Sequence, residues 1–269
     1  MTLRSSLPSG PSVGHDRAVP TRVLTWNLQG REHPDLDEVA GVIEGFGPDV
    51  VALQEVHRRQ VRALAERLGW ASAWRFKHWS VVVRPEGLAV LAPAPAIDLA
   101  TVHLAHRLRF WSWRRRIAVR ATISGPDGPL ALVATHLGAG VGDEERTRQA
   151  RRTVDAVAAG PAEVVGACIV GDLNTHPGSP VLAAYGVAGF RDAWADARPD
   201  EPGATNWRPG PRDAAPTQRL DYVLVSDSLT VLEADVPAAG EPGARAWGEL
   251  SDHLPVVVTL AARDVLRTG

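Results

Sequence analysis

Val50-Val-Ala-Leu53, ended at once by Gln54-Glu55, is an apolar run with no polar alternation. A strand of that pattern is covered on both faces, so the stretch predicts a sheet with packed layers on either side. Just upstream, Gly47-Pro48 stops a helix whose apolar positions Leu36, Val39, Ala40, Ile43 and Phe46 recur at helical spacing. Farther upstream, Arg22-Val-Leu-Thr-Trp26 reads as a strand that delivers Asn27. Downstream, a second helix runs from about Arg59 to Leu68.

Between Trp70 and Leu137 the pattern changes to short β-like runs at 80–83, 87–91, 97–104, 116–123 and 130–136, punctuated by Gly and Pro. This reads as mostly antiparallel sheet. Asp143 is suited to cap a helix reaching about Ala158, and 164–170 returns as a strand entering Gly171-Asp172-Leu-Asn174. Further strands are expected at 222–225 and 254–260, and the Pro-, Gly- and Asp-rich segment 196–216 reads as a long surface loop. Strand runs interrupted by helices predict an α/β chain with two packed sheets and helices outside. No linker or internal repeat divides the sequence, so residues 21–263 are expected to form one domain behind a loose tail, 1–20.

Bulk properties narrow the function classes. Apolar residues make up 45% of the chain and charged residues 22%, an ordinary globular composition. The net charge of −2 supplies no bulk field toward nucleic acid or acidic membranes, so any attraction to phosphate must be local. Of the 29 basic residues only Lys77 is lysine, a skew read as base composition of the genome rather than chemistry. Cys168, the single cysteine, lies in an apolar strand run and reads as an inert packed thiol. No apolar run approaches the roughly 18 residues of a membrane span, and the first twenty residues lack a targeting pattern. The expectation is a soluble, cytoplasmic monomer.

Polar residues gather where apolar strands end: Asn27, Glu55, His136, Asp172, Asn174, and the pair Asp252-His253. Strand ends are fixed by the sheet yet reachable by solvent, which suits groups that must hold tight geometry. Taken singly, each has a structural reading as a turn, a cap or a satisfied histidine. Taken together they supply carboxylate and amide oxygens for a hard divalent cation, with no soft sulfur ligand. Paired-Cys or His-Glu-x-x-His zinc spacing, a Gly-x-Ser-x-Gly elbow and a P-loop are absent.

Seven segments occur in order: Thr25-Trp-Asn27, Leu53-Gln-Glu55, Gly87-Leu-Ala-Val-Leu91, Thr135-His136-Leu137, Gly171-Asp172-Leu-Asn174, Arg219-Leu-Asp221-Tyr222 and Ser251-Asp252-His253-Leu-Pro255. In this order the chain resembles the endonuclease/exonuclease/phosphatase superfamily, which includes deoxyribonuclease-like and sphingomyelinase-like phosphoesterases. The resemblance implies a four-layer α-β-β-α sandwich with two packed mixed sheets. It implies a site at one edge that binds Mg²⁺, with Mn²⁺ as a substitute. Glu55, Asn27 and Asp252 would form the principal metal site. Asp172 and Asn174 would orient or deprotonate the attacking water and contact a second metal. His253 would be held by Asp221, and His136 would serve the leaving group or the phosphoryl oxygens. His136 also disfavours the abasic-site branch, where a tyrosine-based arrangement is common.

Substrate choice is less legible. The stretch His106–Arg116 holds five arginines and three aromatics, and within it Arg115 and Arg116 are candidates for phosphate contact. A lipid interface, or a hairpin with packed aromatics and solvated arginines, would use the same composition. Arg146, Thr205 and Trp207 are further candidates for shaping the substrate. Trp70, Trp74 and Trp79 are expected in or near the core. A nucleic-acid phosphodiesterase, a phospholipid or small-ester phosphodiesterase, and a catalytically inactive binding module all stay open. Presence of every expected metal and histidine position argues against the last.

Overall fold

The computed structural model describes residues 19–80, 85–109, 112–212, 214–237 and 247–263. Most of the expected tail (1–18) and of the expected strand 80–83 therefore lie outside the described residues, as do the side chains at 79–80 and 106–114.

In chain order the elements are β1 (Thr21–Asn27), α1 (Leu36–Phe46), β2 (Val50–Val56), α2 (Arg58–Leu68), β3 (Ala71–Ser80), β4 (Glu86–Ala92), β5 (Asp98–Arg109), β6 (Ser112–Gly125) and β7 (Gly128–His136). There follow α3 (Asp143–Ala158), β8 (Gly166–Asp172), α4 (Pro180–Val187), β9 (Phe190–Asp192), α5 (Ala193–Ala197), β10 (Asp221–Ser226), β11 (Leu229–Asp235), α6 (Trp247–Leu250) and β12 (Val256–Ala262). One sheet has the order β11-β12-β1-β2-β4-β3, the other β5-β6-β7-β8-β10-β9. They join at one edge, where His78–Ser80 of β3 pairs with Ser112–Arg114 of β6.

Both sheets are mixed. Each contains one parallel pair, β1–β2 in the first and β7–β8 in the second, among antiparallel neighbours. Between the sheets lies a core that includes Val23, Val50, Ala52, Val119, Leu132, Val170 and Val223. The alternate residues of the same strands face outward and are again apolar. Leu24, Val51 and Leu53 pack beneath Val39, Ile43 and Leu64 of α1 and α2. On the other side Val133, Ile169 and Leu224 pack beneath Ala150, Val181 and Tyr185 of α3 and α4. Three apolar layers therefore bind a four-layer α-β-β-α sandwich, which is why the central strands read as unbroken apolar runs. Cys168 is buried in the middle layer, where loss of water pushes its thiol pKa far up.

Helix signals were mostly local. Asp35 caps α1 by accepting from the backbone of Asp37 and Glu38, and Gly47 closes it at φ 57°. At α3 the cap is Gly142, and Asp143 is the first helical residue. There it joins Glu144 and Glu145 in an acidic first turn, favourable to the helix dipole. Elements absent from the sequence reading are β3 along most of its length, α4, β9, α5, β11 and α6. α4 is apolar on every side, and β11 is an edge strand with Leu232 and Glu233 exposed, so neither carries a clean period. Among the described residues no helix is long and apolar enough to cross a membrane.

Gly171, the residue before Asp172, takes φ 132°, and a Cβ there would sit 2.0 Å from the carbonyl oxygen of Thr135. Gly171→Ala is therefore expected to cost at least about 2 kcal/mol, through clash and a forbidden backbone region. A denaturant midpoint equal to that of the wild type would contradict this close approach.

Candidate active site

The two parallel pairs end on the same edge. β1 ends at Asn27, β2 passes through Glu55, β7 ends at His136 and β8 ends at Asp172. β10 starts there at Asp221, which pairs with Asp172 across the antiparallel ladder. The turn before β12 adds Ser251-Asp252-His253.

Asp172 is the meeting point. Its Oδ2 accepts from Asn27 Nδ2 at 3.1 Å and lies 3.5 Å from His136 Nε2 and 3.9 Å from His253 Nε2. Its Oδ1 accepts from the backbone N–H of Asn174 at 2.9 Å. Burial, and then the nearby Asp221 carboxylate, push its pKa up to about 7, despite the His253 charge and the bonds from Asn174 and Asn27. Asn174, at φ 48°, also donates from its side chain to the Leu137 carbonyl at 3.2 Å.

His253 and Asp221 form a tight pair, Nδ1 to Oδ2, at 2.7 Å. Burial opposes the imidazolium, but Asp221, followed by Asp172 and Asp252, outweighs it and raises the pKa to about 10. Backbone contacts fix the segment. Trp26 Nε1 donates to the His253 carbonyl at 2.8 Å, Ser251 Oγ donates to the Asn27 carbonyl at 2.5 Å, and the His253 N–H donates to Ser251 Oγ.

Glu55 sits in a bulge of the β2–β4 ladder at φ 54°, with its Oε1 3.8 Å from His136 Nδ1. His136 is fully buried, and burial followed by the Lys77 and Arg116 charges drives its pKa well below normal. With a neutral imidazole, its approaches to Glu55 and Asp172 are polar contacts and not ion pairs.

Asn27, Glu55, His136, Asp172, Asn174, Asp221 and His253 thus converge on one edge of the paired sheets. Asp252 is buried beside them, but its carboxylate pairs with Arg208 Nε at 2.7 Å. Thr205 and Trp207 are both essentially fully buried. The Thr205 hydroxyl donates to Asp221 Oδ2 at 2.6 Å, and Trp207 Nε1 donates to the Ala214 carbonyl. Arg115 lies over the Phe76 ring and bonds the Phe76 carbonyl, while Arg116 acts electrostatically on His136 and Glu86. Arg146 is held by the Gly138 carbonyl and Asp143.

Sequence reading missed two residues. Asn206, buried in the long loop, bonds the Asp252 carbonyl and bridges to His253. Lys77, dismissed as a compositional remnant, is 2% exposed with its Nζ 3.0 Å from His136 Nδ1. Its solitude among 29 basic residues was the available signal.

Carboxylates, amides and imidazoles delivered to one edge of four layers by strand ends are a donor set suited to metal-assisted phosphoester chemistry. The chain belongs to the Endonuclease/Exonuclease/phosphatase family, whose model matches residues 24–253. Among solved structures it is similar to an endonuclease/exonuclease/phosphatase from Beutenbergia cavernae, with a TM-score of 0.68 and 24% identity over 90% of this chain and 72% of that one. It is also similar to the human Nocturnin catalytic domain, with a TM-score of 0.68 and 24% identity over 90% and 93% of the two chains. A Bacteroides thetaiotaomicron mannosyl-6-phosphatase gives 0.67 and 17% over 90% and 99%. At such identities the likeness speaks for the fold. None of the curated proteins matches the chain.

Two expected outcomes follow from local geometry. Because Glu55 occupies a left-handed backbone conformation, Glu55→Gly should be more stable than Glu55→Ala by about 1 kcal/mol; equal unfolding midpoints would count against that conformation. Thr205→Val, which leaves the buried Asp221 short of a donor, should cost roughly 1–3 kcal/mol in the same assay.

Proposed function

We propose that this protein is a divalent-metal-dependent phosphodiester hydrolase that cleaves by attack of an activated water, with nucleic acid as the leading substrate class. The observation that carries the reading is the convergence of Asn27, His136 and His253 on one oxygen of the buried Asp172. A carboxylate fixed there by Asn27 and by the Asn174 backbone, and facing two imidazoles, is suited to take a proton from water.

The donor chemistry fits a hard cation. Asp172, Asp221 and His253 place ligand-type atoms within 4.8 Å of one another. His253 and Asp221 already satisfy each other through their own bond, so this trio is better suited to positioning charge than to encircling an ion. The partly exposed Glu55 carboxylate, with Asn27 and Asp172, is the better cradle for Mg²⁺ or Mn²⁺, and Asn174 and Asp252 are the further oxygen donors. When bound, the cation supplies charge compensation for the phosphoryl and leaving oxygens.

The remaining roles belong to the chain. Asp172 accepts the proton of the attacking water, and Asn174 helps to orient that water. His253, kept cationic by Asp221, faces the phosphoryl oxygens through Nε2 and stabilises the charge that develops there. His136 Nε2 approaches the same space from β7.

Asp172→Ala and His253→Ala are each expected to lower turnover by a factor of about 10³ or more while leaving the fold intact. Chelator should abolish turnover and Mg²⁺ or Mn²⁺ should restore it. The assay is a panel of plasmid DNA, abasic DNA, RNA, sphingomyelin, inositol phosphates and bis(p-nitrophenyl) phosphate. Near wild-type rates in the folded variants, or chelator-resistant turnover, would show that the chemistry lies elsewhere. Metal-dependent hydrolysis of sphingomyelin or inositol phosphates, without any of nucleic acid, would retain the mechanism and replace the substrate.

A further inference from the structure

Lys77 extends from β3 into the sheet edge behind the site. Its Nζ lies 3.0 Å from His136 Nδ1 and 3.1 Å from Glu86 Oε1 on the neighbouring strand β4. A lysine ammonium has three N–H donors and no lone pair, so the ring nitrogen it meets must accept. A neutral imidazole carries one proton, which is then confined to Nε2, the nitrogen 3.5 Å from Asp172 Oδ2. We propose that Lys77 is a positioning residue that fixes His136 as the Nε2–H tautomer, so that this imidazole meets the phosphate ester as a neutral hydrogen-bond donor. The part the donor plays rests on the phosphoesterase reading above, whereas the tautomer rests on geometry alone.

Competing contacts favour the same assignment. Glu55 Oε1 approaches the same Nδ1 at 3.8 Å, too long for a hydrogen bond, and would favour a proton there. Lys77, at 3.0 Å, prevails. Glu86 keeps the ammonium compensated: burial opposes its carboxylate, yet Lys77 holds its pKa below the usual value. Lysine suits the slot better than arginine because a compact ammonium can serve one imidazole nitrogen and one carboxylate in a nearly sealed space. The site then gives its two histidines opposite partners at Nδ1, a carboxylate for His253 and an ammonium for His136.

Nitrogen-15 NMR of the histidine rings in the full chain at neutral pH tests this directly, with His136 assigned by loss of its signals in His136→Gln. The expected wild-type spectrum shows His136 protonated at Nε2 and bare at Nδ1. In the Lys77→Met/Glu86→Gln double variant, which orphans no buried carboxylate, the Nδ1–H form should appear. With bis(p-nitrophenyl) phosphate, kcat should fall by a factor of roughly 10²–10³ with KM little changed. A wild-type His136 protonated at Nδ1, or at both nitrogens, would overturn the assignment. So would a folded double variant with the tautomer and kcat unchanged, and if that variant does not fold the wild-type spectrum decides. The expected wild-type tautomer in a protein that turns over no phosphate ester would instead sink the functional reading and leave the tautomer assignment standing.

Discussion

Asp172 holds a carboxylate where burial opposes its charge, and the rest of the site is arranged around that cost. One oxygen takes the Asn174 backbone N–H, and the other meets Asn27 and faces two imidazoles. Those partners come from β1, β7 and the segments flanking β8 and β12, so no local piece of chain could assemble them. The sandwich does so because its two parallel pairs end on one edge while their inward faces share one apolar core.

The second layer of support is equally non-local. Thr205, from the long loop, holds Asp221, which holds His253, whose carbonyl is tied by Trp26 of β1. Each link leaves little freedom for the next, which suits a group that must meet a transition state in a set orientation. Glu55 and Asn174, non-glycine residues in left-handed conformations at this edge, show the same preference for placement over backbone ease.

Opposite electrostatic environments separate the two histidines within a few ångströms. A carboxylate on His253 Nδ1 favours the charged ring, and an ammonium on His136 Nδ1 favours the neutral one. Asp172 lies between them, and its proton affinity is raised by burial and by the nearby Asp221 against the opposing pull of His253. In a buried site, charge pattern rather than residue type decides what a given imidazole can do.

Much of the frame was legible because it is local. The unbroken run 50–53 announced a strand with two covered faces, and Gly47-Pro48 marked a helix end that the structure places at Phe46. The polar residues that close β1, β7 and β8 were legible for the same reason, since each interrupts an apolar pattern at its end. β3 and β11 escaped notice because a strand that mixes exposed and buried positions irregularly has no period to read. What the folded chain alone decided is who meets whom. Thr205 supports Asp221, Asp252 pairs with Arg208, and Lys77 reaches His136 across 59 positions of sequence. Spacing along a chain carries local periodicity, but the partner of a buried polar group is chosen by sheet registry and the loss of water, which exist only in three dimensions.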